Sequence, residues 1–230
     1  SVAPSNKNPY DAHEKSAMKN SLQPVVIFDF DGTIADTLTL LIRISNQLAD
    51  EFQFQKIQDN DVALLKTKTI AEIIRYLKIP VAKIPLILYK IRQQMRQHIT
   101  EVRTAEGLKD ILLQMHSRGW RLGILTSNSH KNVEIFLKHN GIDCFDFYKT
   151  SVAILGKTLR LKQLLKKQNL QSHDVIYVGD EIRDIEAAKA NRIKVAAVSW
   201  GYNHPDALAA YQPDHLIRHP KELLALFPSE

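Results

Sequence analysis

The sequence predicts a three-layer α/β fold, in which a parallel sheet carries helices on both faces and is interrupted once by an all-helical block. Three short apolar runs predict the sheet. They are Val25-Val-Ile-Phe28, the run ending at Leu125, and Val175-Ile-Tyr-Val178, and they lead directly or nearly so into Asp29, Thr126 and Asp180. Unbroken apolar runs of this length suit strands buried on both faces, as parallel strands are. Segments of helical period lie between them, and alternating strand and helix implies right-handed crossover units. The insert is predicted by an absence: residues 37–103 hold helical patterns and no strand candidate.

Taken in order, residues 1–23 are rich in Ser, Asn, Lys and Pro without a sustained period, so an irregular extension is expected, with Met18 a candidate natural start. The first strand follows. After Thr33, residues Leu38, Leu41, Ile42, Ser45, Leu48 and Phe52 fall along one helical face. Further helices are expected near 59–65, 70–77 and 85–99, with a break at Lys78-Ile-Pro80 and Pro85 opening the last. The core pattern returns at about residue 104. A helix over 107–118 stops at Gly119, a strand runs over 120–126, and a helix over 131–140 stops at Gly141. Next are expected a strand at 145–148, a helix at 159–168 and a strand at 174–180. A helix at 182–190, strands at 193–198 and 215–217, and a helix at 221–226 complete the chain. This gives a Rossmann-like core of residues 24–36 and 104–230 and a helical unit of 37–103. In such sheets ligands bind beyond the carboxyl ends of the strands, where Asp29, Asp31, Thr126 and Asp180 all fall.

Composition bounds the function classes. The 230 residues, 44% of them hydrophobic and 24% charged, can build a substantial core. A single cysteine, Cys144, excludes an internal disulfide and fits a reducing compartment. No apolar run approaches the ~20 residues of a membrane span, and a cytoplasmic protein is expected. The net charge of +6 suits an acidic ligand, but the basic residues form no long block, so nucleic acid is not the expected partner.

The carboxylates carry the chemistry. Strand alternation would point Asp29 and Asp31 the same way with Phe30 opposite. Two close like charges repel unless a cation lies between them or one keeps its proton. A surface turn would account for Gly32 but not for an acid directly after Val-Val-Ile-Phe. Lys157, at the start of a helix, faces the positive end of the helix dipole, a disfavoured place that a bound phosphate would reverse. Lys149 competes with it as a basic residue near a strand end. For Asp184 an ordinary reading also exists, because acids favour the first helical turn; the same holds for Glu181. Helix capping by Ser127, Asn128 or Ser129 is the ordinary reading at the second strand's end.

As an ordered set, Asp29-Phe-Asp31-Gly-Thr33, Thr126-Ser127-Asn128, Lys157 and Gly179-Asp180-Glu-Ile-Arg-Asp184 resemble the motifs of the haloacid dehalogenase-like hydrolase superfamily. The nearest pattern is the branch of phosphoglycolate phosphatases and β-phosphoglucomutases with a helical cap. The resemblance implies Asp29 as nucleophile and Asp31 as proton shuttle. It implies Thr126, Ser127, Asn128 and Lys157 around the phosphate. Mg²⁺ would be held by Asp29, the carbonyl of Asp31 and Asp180, with Asp184 orienting its waters. Lys66 and Lys68 lie where the branch places substrate-sensing residues. A phosphatase acting on a small phosphorylated metabolite is therefore expected. A phosphosugar mutase, a nucleotide or nucleic-acid-end phosphatase, and a non-catalytic binder using the basic cap are the alternatives. No glycine occurs in 37–103, a departure from the phosphoglycolate phosphatase pattern that leaves the substrate open.

Overall fold

A computed structural model describes residues 23–150 and 156–227; the expected extension, including Met18, lies almost wholly outside the described residues. Six strands form one all-parallel sheet: β1 (Val25–Phe28), β2 (Arg121–Thr126), β3 (Phe147–Thr150), β4 (Val175–Gly179), β5 (Lys194–Val198) and β6 (His215–Ile217). Their spatial order is β3-β2-β1-β4-β5-β6. The order reverses between β1 and β4, and that switch point opens a crevice at the strands' carboxyl ends.

Strand alternation divides the core in two. Val26 and Phe28 of β1, Ile176 and Val178 of β4, and Ala196 and Val198 of β5 belong to one buried layer. Val25 and Ile27, Val175 and Tyr177, and Val195 and Ala197 belong to the other. Helices α1 (Leu38–Phe52), α5 (Leu108–Ser117) and α6 (His130–His139) serve the first layer; α7 (Lys157–Gln168) and α8 (Ile182–Ala190) serve the second. Every residue of β1 is buried, which is why it reads as an unbroken apolar run.

Between β1 and β2 the chain forms α1, α2 (Asp59–Leu65), α3 (Ile70–Tyr76) and α4 (Ile84–His98) before α5. Helix α1 buries Leu40, Ile44 and Leu48 at four-residue spacing and ends at Gln53 in the left-handed conformation. Thr69 and Glu72 make a reciprocal capping box at the start of α3. The chain leaves and re-enters the sheet region through a paired neck: Ala35 bridges Thr104 antiparallel, and the Asp36 N–H donates to the Arg103 carbonyl at 2.9 Å.

Three expectations need correcting. Strand β3 sits two residues beyond 145–148, because Phe145 packs edge-on against Phe28 with centroids 6.1 Å apart. Asp146 meets Leu122 twice, its N–H donating to the Leu122 carbonyl at 2.9 Å while its side chain takes the Leu122 N–H at 2.8 Å in place of a backbone carbonyl, and the regular ladder starts after it. The segment expected as a helix at 221–226 is a 3-10 helix, Pro220–Ala225, an element of equal length but tighter winding, capped at its start by His219 and Glu222. A helix not anticipated, α9 (Pro205–Ala210), had a readable signal in Pro205 at its first position and His204 as a cap.

Cys144 is buried, and desolvation pushes its thiol up to about 11, with Asp143 and Asp146 adding to the effect. Since the thiolate is the reactive form, the folded protein is expected to resist Ellman's reagent at pH 8 and to yield one equivalent only after unfolding in guanidinium. Prompt labelling of the native protein would contradict that burial.

Candidate active site

Strand β1 stops at Phe28, so the backbone beyond it turns: the Ile34 and Ala35 N–H groups both donate to the Phe30 carbonyl. Phe30 plugs the core against Phe136, ring centroids 5.1 Å apart. The Asp29 N–H still donates to the Val178 carbonyl at 2.8 Å, and Phe30 stays in the buried layer of Val26 and Phe28, so the strand's alternation reaches Phe30 before the turn takes over at Asp31. Asp29 is buried; its Oδ1 accepts the Phe30 N–H at 2.7 Å and its Oδ2 accepts from Lys157 Nζ at 2.6 Å. Gly32 takes φ +80°, and a Cβ there would overlap the Asp180 carboxylate, so only glycine fits.

Asp180 follows β4 and Asp184 lies in the first turn of α8, both fully buried. Ligand atoms of Asp29, Asp180 and Asp184 lie within 4.8 Å of one another. Lys157 also donates to Asp184 Oδ1, while Asp184 Oδ2 accepts the Asp180 and Glu181 N–H groups at 3.1 and 3.0 Å. Asp180 accepts from Thr33 Oγ1 at 2.5 Å and from the Tyr202 N–H at 2.7 Å. Two of the three acids thus share the Lys157 ammonium, while Asp180 is held by a hydroxyl and a backbone N–H. Burial, with Glu181, Asp184 and Asp29 adding repulsion, raises Asp180 well above the carboxylate range. Burial likewise lifts Asp184 to about 6 despite Lys157. Lys157 moves upward overall, because Asp184 and Asp29 outweigh the burial that opposes its charge. An all-oxygen, electron-rich cluster short of positive charge fits a hard divalent cation.

Asp31 sits across from this cluster. Its carboxylate accepts from Asn128 Nδ2 at 3.0 and 3.1 Å and from Thr37 Oγ1 at 3.1 Å. Burial, reinforced by Asp29, raises it to about 7. Thr126 ends β2, buried, with its Oγ1 accepting the Asn128 N–H at 2.9 Å. Ser129, not Ser127 or Asn128, caps α6, by accepting the Asn132 N–H at 3.2 Å. The carbonyl of Ser127 accepts from Arg92 Nε of α4 at 3.0 Å. Of the two lysines that competed from sequence, Lys149 points away to Gln163 Oε1 at 2.9 Å, while Lys157 meets Asp29.

The expected substrate-sensing pair enters through its backbone. Asn203 Nδ2 donates to the carbonyls of Lys66 and Lys68 at 2.9 and 3.0 Å, and its Oδ1 accepts the Ile182 N–H at 2.9 Å. One buried amide therefore ties the α2–α3 loop to the loop that holds Asp180. Sequence reasoning missed Asn203, because a buried amide cannot be told from a surface one by pattern alone. Removing it leaves the buried Ile182 N–H unpaired, so Asn203→Ala is expected to cost about 1–3 kcal/mol in urea unfolding. It should also make the α2–α3 loop more sensitive to limited proteolysis; unchanged stability and cleavage would count against the clasp.

The haloacid dehalogenase-like hydrolase profile matches residues 26–198. A phosphoglycolate phosphatase of Synechococcus elongatus is 36% identical over 200 residues, covering 86% of this chain and 94% of that protein. Pyrophosphatase PpaX of Listeria welshimeri is 23% identical over 210 residues, covering 89% and 96%. Among solved structures, a haloacid dehalogenase-like family hydrolase from Streptococcus pneumoniae superposes with a TM-score of 0.74 at 22% identity, covering 90% of this chain and all of that one. That last likeness concerns the fold.

Proposed function

The chain belongs to the haloacid dehalogenase-like hydrolase family, and on that premise we propose that it is a Mg²⁺-dependent, cytoplasmic phosphatase of small phosphomonoesters, phosphoglycolate-like esters among them. The observation that carries this reading is the convergence of Asp29, Asp31, Lys157 and Asp180 at the switch point of the sheet. A metabolic binder with no chemistry to perform has no use for three clustered buried acids, of which Lys157 pairs with two, since buried charge is costly.

In this reading Asp29 attacks phosphorus and takes the phosphoryl group. Asp31 donates a proton to the leaving oxygen and later accepts one from the attacking water. Asn128 and Thr37 hold its carboxylate in place for both steps. Lys157 orients Asp29 and offers charge to the phosphoryl oxygens, with Thr126, Ser127 and Asn128 lining the other side. Asp29, Asp180 and the Asp31 carbonyl would hold Mg²⁺, with Asp184 supporting from behind, and the ion would neutralise charge on the transferring group. Residues 37–103 act as a cap that excludes water, hinged at the neck formed by Ala35 and Thr104.

Phosphate release from a panel of phosphorylated metabolites, with and without Mg²⁺, tests the proposal. Turnover that requires the ion is expected, with phosphoglycolate and β-glucose 1-phosphate both included. Conversion of the latter to an isomer without net phosphate release would replace the phosphatase reading with a mutase.

A further inference from the structure

A cavity of about 250 Å³ runs from Asp31 into the helical insert, and its walls change character along the way. The charged lining residues are tied to the core loops. Lys66 and Lys68 are held by their carbonyls on Asn203, Arg92 by its Nε on the Ser127 carbonyl, and Arg183 pairs with Glu181. Ser127, Asn128, Tyr202 and Asn203 line the same end. The wall inside the helical insert is mostly aliphatic, with Leu41 and Ile42 from α1, Ile73 and Ile74 from α3, and Ile87 and Ile91 from α4. Helix α3 is telling. Ile70, Ile73 and Ile74 recur at helical spacing, the pattern of a core face, yet the helix buries none of its residues. Its apolar stripe borders this cavity instead of filling it.

Resting on the phosphatase reading, we infer that the cavity receives the leaving group of the substrate, and that it extends the accepted esters from short ones such as phosphoglycolate to those of hydrophobic alcohols. Beyond the basic end, which can meet a short acidic group, the walls offer aliphatic surface where a hydroxyl-rich leaving group would need hydrogen bonds, and a polar group buried unpaired is penalised. Hydrocarbon gains there, and an apolar cavity holds water poorly, so little is lost in displacing it. A phosphate at the charged end and a hydrocarbon at the other match the two halves of the space. Hydrolysis then breaks the ester P–O bond, forms an Asp29–phosphorus bond, and releases the alcohol with a proton from Asp31. Water returns Asp29 and inorganic phosphate.

The test is a chain-length series. Binding of n-alkyl phosphonates from ethyl to hexyl to the Mg²⁺-loaded protein is read by calorimetry, and kcat/KM is read for the matching n-alkyl phosphates beside phosphoglycolate. Affinity is expected to rise about fourfold per methylene until the cavity is full, and kcat/KM to rise with it. Ile73→Trp, which occupies part of the space, should end the gain at a shorter chain. A flat or falling series overturns the inference, and phosphate release accompanying it would leave the phosphatase reading standing. Rising affinity with no phosphate release from any monoester would overturn the phosphatase reading and the leaving-group assignment with it, leaving only a hydrophobic binding pocket.

Discussion

Asp29→Asn is expected to abolish phosphate release, by on the order of 10⁴-fold or more, while leaving the fold intact. The carboxamide keeps the size of the acid, and its Oδ1 can still accept the Phe30 N–H that anchors the turn. It can no longer attack phosphorus as an anion. Removing one of three clustered acids also relieves repulsion on Asp180, which offsets the weakened pair with Lys157. Thermal unfolding of the metal-free variant should therefore lie close to that of the parent. Residual turnover near the parent rate would refute the nucleophile assignment. Asp31→Asn makes the useful comparison, because it should retain the attacking group and fail at proton transfer, most severely for esters with poor leaving groups.

Lys157→Met should be damaging in a different way. The lysine is buried between Asp29 and Asp184 and supplies the only ammonium paired to both among the described residues. Without it two buried carboxylates lose their partner, a change that costs about 3–5 kcal/mol when one member of a buried pair is deleted. Denaturant unfolding in a chelator should record that loss. Its pH dependence has a defined sign. Asp184 already holds its proton to about 6 and Asp31 to about 7, against ordinary values near 3.8. An acid that binds its proton more tightly when folded stabilises the fold at low pH and loses that contribution as pH rises through its folded pKa. Removing the ammonium strengthens this trend, so the variant should weaken progressively from about pH 4 upward. Added Mg²⁺ should restore part of the stability, since a cation replaces the missing charge; no recovery would argue against metal binding by these acids.

Much of the fold was legible because two periods separate cleanly. Buried parallel strands read as short apolar runs, and the insert reads at helical spacing throughout. What escaped depended on contacts made at a distance. Phe145 looked like strand until its packing on Phe28 was visible, and α9 was too short to show a period. At the site, the resemblance drew attention to Asp29, Asp31, Thr126, Lys157, Asp180 and Asp184, and the fold brings these together. Asn203 and Arg92 went unnoticed because each acts through a backbone carbonyl far away in the chain, a partner that no local pattern records.

By itself, the sequence determined the strand order's raw material, the position of the acids at strand ends, and the presence of an all-helical insert, because these follow from local periodicity and from residue chemistry. The resemblance already preferred Lys157 to Lys149, but only the tertiary structure supplied the contacts, with Lys157 on Asp29 and Lys149 on Gln163, since these depend on where α7 packs. It also decided that the stripe on α3 borders a cavity and not a core. Apolar spacing records that a face avoids water; whether side chains or empty space lie opposite is settled by how far the helices stand apart.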